Sequence, residues 1–463
     1  MTATNFIKTD EIRYQFSIAM STMYQKEVPL YTNLIELVNE VNESVMQQQP
    51  EIKQQLINTG ELDRLSAERH GAIRLGTAQE LETMRRLFAV MGMYPVGYYD
   101  LTPAGVPVHS TAFRAVTTEA LNISPFRVFT SLLRLELIED ESLRSKAKQA
   151  LGNRNIFTDR AIELIETFEK QGGLTSEQGE EFVREALETF RWHESSPISK
   201  SLYDQLLSQH GLIADIVGFK GPHINHLTPR TLDIDAVQKG MSQRNIPPKD
   251  IIEGPPRRNC PILLRQTSFK ALEEAVNFTG ETGDTVAGTH TARFGEIEQR
   301  GVALTPKGRA LYDQLLNAAR TKLGSTPNAS NAGQYYQLLS KEFEAFPDDY
   351  HSLYEQGLAY FYYQLNEDKL EAGVSMQQVD ELVSQGVLRI EPIVYEDFLP
   401  VSAAGIFQSN LKDDKQSSYQ GNSNQADFEK ALGRPVYDEL ELYHSLQESS
   451  KKDCIEYLNK LLA

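Results

Sequence analysis

The segment FGEIEQRG, Phe294 to Gly301, concentrates ionisable groups in a short span. Drawn as a strand, it puts Phe294, Glu296, Glu298 and Arg300 on one face and Gly295, Ile297, Gln299 and Gly301 on the other. A charged strand face is usually a solvated one. Glutamate is a poor strand former, however, and Gly295 suggests a bulge or a close backbone approach. Two other stretches supply donors. In ERHGAIRLG, a strand would place His70 and Arg74 on one face with Ala72 between them, their Cα atoms about 13 Å apart. In HINH, His223 and His226 are three residues apart, so in a strand only one of them would point at a given cavity. Each histidine also has an ordinary reading as a hydrogen-bonded core or turn residue, and Arg74 one as a surface arginine.

Two imidazoles and a carboxylate from separate strands match a facial triad, which leaves adjacent positions on Fe(II) for a bidentate 2-oxo acid and for O2. The lack of a thiolate suits redox-active iron better than structural zinc. These donors alone do not separate Fe from Mn, Zn or Co, nor Glu296 from Glu298, nor His223 from His226. A zinc-dependent hydrolase or lyase acting on a small 2-oxo acid stays open. HExxH, GxGxxG and GxxxxGK[ST] are all absent.

The elements that must hold these groups alternate in blocks. Helical spacing runs from residue 9 to about 60. Short apolar runs broken by Gly and Pro follow in RHGAIRLG, MGMYPVGYYDL and GVPVHSTAFRAV, the texture of strands and turns. Helical period is expected from about 125 to 210, including FRVFTSLLRLELI and DRAIELIETFEKQGG. Strand texture is expected from HGLIADIVGFKGPHINH through HTARFGEIEQRGVALT, and again in VLRIEPIVYEDFLPVSAAGIF. The reading is α+β: one mixed β-core with helical additions. The expected division is a single catalytic unit over 1–463. Within it, 1–62 is an N-terminal helical segment. A β-core spans 63–310, with a helical insertion at about 125–210. A helical segment covers 311–385, a final core strand and substrate loop 386–410, and a C-terminal loop and helices 411–463.

The chain has 463 residues, a formal net charge of -18 and a globular 40% of hydrophobic residues. Such acidity disfavours nucleic acid or an anionic membrane surface as main partner. It leaves room for an anionic small molecule met by a few buried arginines. The two cysteines, Cys260 and Cys454, are far apart, and no signal-peptide pattern opens the sequence. A reducing, cytoplasmic setting is expected.

ERHGAIRLGTAQEL, GPHINHLTPRTLDID, LLRQTSFKALEE, HTARFGEIEQRG, ALTPKGR and YEDFLPVSAAGIFQSNL resemble the bacterial 2-oxoadipate dioxygenase/decarboxylase family, over nearly the whole chain. The resemblance implies a vicinal-oxygen-chelate-like half-barrel core, more distantly similar to hydroxyphenylpyruvate dioxygenase. It also implies a non-haem Fe(II) enzyme of D-lysine catabolism. Such an enzyme converts 2-oxoadipate and O2 to (R)-2-hydroxyglutarate and CO2. Its metal ligands would be His70, His226 and Glu296, because the dioxygenase relatives carry Glu-Ile-Ile-Gln-Arg with the first residue on iron. Substrate contacts would come from Arg74, Val401 and Ser402, beside His70 and His226. Glu298 would stand behind the ligands or beyond the cavity, and His223 would support them.

Overall fold

The computed structural model describes residues 6–280, 284–369, 379–399 and 424–462. In chain order its strands are β1 (Arg69–Leu75), β2 (Tyr94–Asp100), β3 (Val108–Arg114), β4 (Arg127–Leu133), β5 (Ser195–Ser199), β6 (Leu227–Pro229), β7 (Leu264–Ser268), β8 (Glu273–Thr279), β9 (Thr285–Thr291), β10 (Glu296–Arg300), β11 (Phe361–Leu365) and β12 (Leu388–Pro392). The main sheet runs β2-β3-β4-β1-β6, with β1 parallel to β4 and its other pairs antiparallel. Beyond β6, Arg230 bridges to Glu298, and the Thr231 N–H donates to the Glu298 carbonyl at 2.7 Å. This bridge brings β10, paired antiparallel to β7, alongside the main sheet. The result is the α+β core expected from the sequence.

Alternation along the strands assigns the two faces. On β1, Ile73 and Leu75 join Val128, Leu132 and Ile297 in a core cluster that includes Ile12, Phe16, Met20 and Leu34 of the N-terminal helices. The opposite face carries His70 and Arg74 on β1 and Glu296, Glu298 and Arg300 on β10, every one of them buried. A strand buried on both faces needs layers on both sides. The second layer is another cluster, which includes Phe129, Phe398 and the helix Gly211–Gly218. The charged face of FGEIEQRG is therefore internal. Phe294 lies before β10 begins and packs with Ile297, rather than sharing a face with the glutamates.

Several local expectations are corrected. FRVFTSLL, expected helical inside the 125–210 insertion, is β4 in the middle of the main sheet. GLIADIVG, expected to be a strand, is a helix with every residue buried. Both are continuous apolar runs, which periodicity cannot sort between buried strand and buried helix. β11 falls inside 311–385, and β12 pairs with it in a separate two-stranded sheet. The chain just after β12 returns to the core, where the Tyr395 N–H donates to the Gly301 carbonyl at 2.8 Å. DRAIELIETFEKQ is helical as expected, closed by Gly172 at φ 79°. No described helix is long and apolar enough to cross a membrane.

The glycines flanking β10 differ in what they allow. A Cβ on Gly295 would sit 2.2 Å from the Phe269 ring, whereas one on Gly301 would meet the Pro261 backbone at 2.1 Å. The close backbone approach is at Gly301, not at Gly295. Gly301→Ala should cost about 1–3 kcal/mol through overpacking against backbone that cannot yield. Gly152→Ala, on a helix with nothing within 4 Å of the new methyl, should be neutral or stabilising by up to about 1 kcal/mol. Urea unfolding of the two variants checks the contrast.

Candidate metal centre

Three backbone segments converge on the concave face. β1 presents His70, β10 presents Glu296, and the residue before β6 presents His226. The loop bearing His226 is pinned to both strands: the Asn225 N–H donates to the Ala72 carbonyl at 3.0 Å, and the Phe294 N–H donates to the Asn225 carbonyl at 3.1 Å. The Tyr24 hydroxyl, from the first helix, lies 3.0 Å from the Asn225 carbonyl and 2.7 Å from that of Phe294.

His70, His226 and Glu296 bring one donor atom each to within 4.8 Å of one another. His70 Nε2 lies 3.0 Å from Glu296 Oε1, and the two imidazoles are edge-to-face at 5.4 Å. Glu296 Oε1 also accepts from Gln266 Nε2 at 2.8 Å and from Thr228 Oγ1 at 3.2 Å. His226 is 4% exposed, yet neither of its ring nitrogens has a hydrogen-bond partner among the described residues. Burial drives its pKa down to about 3, so the ring is neutral and offers a lone pair. A buried imidazole with unmatched nitrogens costs free energy unless something binds there. A neutral imidazole beside a histidine and a carboxylate fits a divalent metal of the nitrogen- and oxygen-binding kind.

The other face of His70 explains the second glutamate of FGEIEQRG. His70 Nδ1 faces Glu298 Oε2 at 3.0 Å, the carboxylate–histidine arrangement that orients a metal-binding ring. Burial disfavours a charged His70, but Glu298 and then Glu296 outweigh it and raise its pKa above the ordinary value. Burial likewise pushes the Glu298 carboxyl up, yet Arg300 and His70 bring it down to about 2. Arg300 grips Glu298 with two hydrogen bonds of 2.9 and 2.8 Å. Behind that pair, Arg127 contacts Glu68 and Glu396, Arg64 contacts Glu396, and Arg230 contacts Glu61 and Glu68.

Arg74, two strand positions beyond Ala72, pairs with Asp215, its Nη1 lying 2.5 Å from Oδ2. His223 does not join His226. It lies 3.2 Å from Asp215 Oδ1 and, with His290, forms a separate cluster. Val401 and Ser402 lie outside the described residues. The described chain ahead of them passes over the triad, with the Phe398 ring 4.9 Å from that of His70. Sequence reasoning missed Gln266, Thr228 and Asp215. Gln266 alternates with Arg265 and Thr267 on β7, and cross-strand pairing with Glu298 could have found it; Asp215 sits in an apolar run that reads as core.

Comparison with known proteins matches this geometry to a family. Residues 16–410 match the family model described as 2-oxoadipate dioxygenase/decarboxylase. The chain is 59% identical to the 2-oxoadipate dioxygenase/decarboxylase of Pseudomonas putida over 462 residues, 99% of each chain. It is 56% identical to that of Escherichia coli, covering 97% of this chain and 99% of the relative. It superposes on the crystal structure of Pseudomonas putida hydroxyglutarate synthase in complex with 2-oxoadipate with a TM-score of 0.91 at 56% identity, covering 99% and 100% of the two chains. With the match extending through the strands and the loop that carry His70, His226 and Glu296, the chain belongs to the 2-oxoadipate dioxygenase/decarboxylase family.

Proposed function

We propose that the chain is a non-haem Fe(II) dioxygenase/decarboxylase that converts 2-oxoadipate and O2 to (R)-2-hydroxyglutarate and CO2, a step of lysine catabolism. The observation that carries the reading is the buried, neutral His226, whose unmatched nitrogens lie beside His70 and Glu296. These three residues would hold the metal. Fe(II) bound there would polarise a chelating 2-oxo acid and supply the electrons that activate O2. Both atoms of O2 enter one product, one in the new carboxylate and one in the hydroxyl, as C1 leaves as CO2. No second oxo acid is consumed.

The chain's own groups do the positioning. Glu298, 3.0 Å from Nδ1, would orient the His70 ring so that Nε2, beside Glu296, faces a bound metal. Gln266 and Thr228 hold Glu296 through Oε1. Arg74 receives the distal carboxylate of the substrate as a guanidinium fork, with Val401 and Ser402 completing the contact. A clamp at a set distance from the metal selects diacid length.

Protein stripped with chelator and reloaded anaerobically with Fe(II) should take up O2 and release CO2 in equal amounts with 2-oxoadipate. Turnover with Zn(II) alone and no O2 would instead establish the hydrolase or lyase alternative. Glu296→Gln should lose both iron and activity in metal analysis and O2 uptake. Glu298→Gln should keep the triad but weaken iron binding about 10- to 100-fold through the loosened His70; unchanged affinity in a metal titration would remove that role. Arg74→Ala should raise KM for the diacid at least about 10-fold while metal content stays at wild type.

A further inference from the structure

The helix Gly211–Gly218 is buried along its whole length, and Asp215 is its one ionisable residue. Burying a carboxylate in an apolar helix is expensive unless it is paired and hydrogen-bonded. Asp215 is both. Its Oδ2 takes Arg74 Nη1 at 2.5 Å. Its Oδ1 takes His290 Nε2 at 2.8 Å and lies 3.2 Å from His223 Nε2. His290 Nδ1 is 2.7 Å from the Tyr203 hydroxyl. A carboxylate can only accept here, because Arg74 and His223 more than offset the effect of burial and hold Asp215 well below the ordinary carboxylate range. His290 therefore donates from Nε2 to Asp215, and its Nδ1 shares a hydrogen bond with the Tyr203 hydroxyl. A chain of hydrogen bonds thus links Tyr203 through His290 to Asp215, which accepts from Arg74 on its other oxygen. Trp192 and Phe219 wall the histidines, with Trp192 stacked on His290 at 6.1 Å and edge-on to His223 at 4.7 Å.

From this arrangement we infer that Asp215, locked from behind by His223, His290 and Tyr203, is the positioning residue that sets the angle and reach of the Arg74 guanidinium, and so the preference for a dicarboxylate. The inference rests on Arg74 being the carboxylate clamp proposed above. Two other roles fit the geometry less well. A placeholder anion that the substrate displaces would not be held by donors on its far side. A second metal could draw on Asp215, His223 and His290, whose donor atoms lie within 4.8 Å of one another. It would displace the N–H donors already on Oδ1 and set a dication beside the Arg74 cation.

The test compares 2-oxoadipate with 2-oxohexanoate, the same chain without the distal carboxylate, on iron-loaded enzyme. Asp215→Asn should raise KM for 2-oxoadipate and cut the preference for the diacid about 10-fold, with kcat and iron content little changed. Because removing a buried carboxylate beside Arg74 can unfold the chain, Tyr203→Phe accompanies it. That variant keeps the ring, removes only the hydroxyl that hydrogen-bonds to His290, and should lower the preference in the same direction by about 2- to 5-fold. In an Arg74→Ala background, Asp215→Asn should change the preference no further. The inference is overturned if both folded variants keep the wild-type preference, if KM for the diacid falls in Asp215→Asn, or if a second equivalent of iron is bound and lost in that variant. If Arg74→Ala itself leaves the preference intact, the clamp reading fails, separately from the role of Asp215.

Discussion

A carboxylate taken out of water must be answered by a cation or a proton, and the concave face of this sheet gathers many carboxylates. Glu61, Glu68, Glu298 and Glu396 are all buried, and each lies against one or more of Arg64, Arg127, Arg230 and Arg300, which are buried as well. The eight charges cancel. Pairs of this kind add little net stability over a packed apolar core, but removing one partner is costly. Their consequence here is geometric. They hold Glu298 ionised and stationary behind His70, and the orientation of that ring depends on them. The chain's net charge of -18 says nothing of this local balance, which is why overall acidity is compatible with an anionic substrate.

The centre also depends on how closely backbone segments approach. β1 and β10 do not pair with each other. They are joined through β6 and the loop before it, by hydrogen bonds at Asn225 and Thr231. A shift of any one of the three segments would separate the donors. Gly301 lets the end of β10 lie against Pro261, and Tyr24 ties the N-terminal helix to the carbonyls of Asn225 and Phe294. The helical N-terminus is thereby part of the scaffold of the site, although it contributes none of the triad.

Much of this was legible in the sequence. Period-two alternation places Glu296 and Glu298 on one face, and the same rule aligns His70 with Arg74. Alternation cannot show that a face looks inward, because that depends on a second layer supplied by distant residues. The family resemblance took that step, ranking Glu296 over Glu298 and His226 over His223. The place of Glu298 stayed open between behind the ligands and beyond the cavity, since it depends on which nitrogen of His70 faces it. Asp215 was hidden for a different reason. Its apolar neighbours read as core, and only its position on a helix beside Arg74 gives the charge a meaning. FRVFTSLL misled in the same way, because a strand buried on both faces has no period to read.

The two histidines of HINH and the pair His70 and Arg74 on one face of β1 make a matched division. His70 and His226 go to the candidate metal-binding triad, while Arg74 and His223 go to Asp215. Each backbone segment thus contributes one group to each cluster. On the proposed reading, one cluster holds the reacting end of the substrate and the other holds its far carboxylate. The distance between them is then set along β1, by the rise of about 3.3 Å per residue from His70 to Arg74. β1 is hydrogen-bonded to β4 along this whole stretch, from His70 to Leu75, which holds it extended. Selection for the length of the diacid would then reside in the sheet itself.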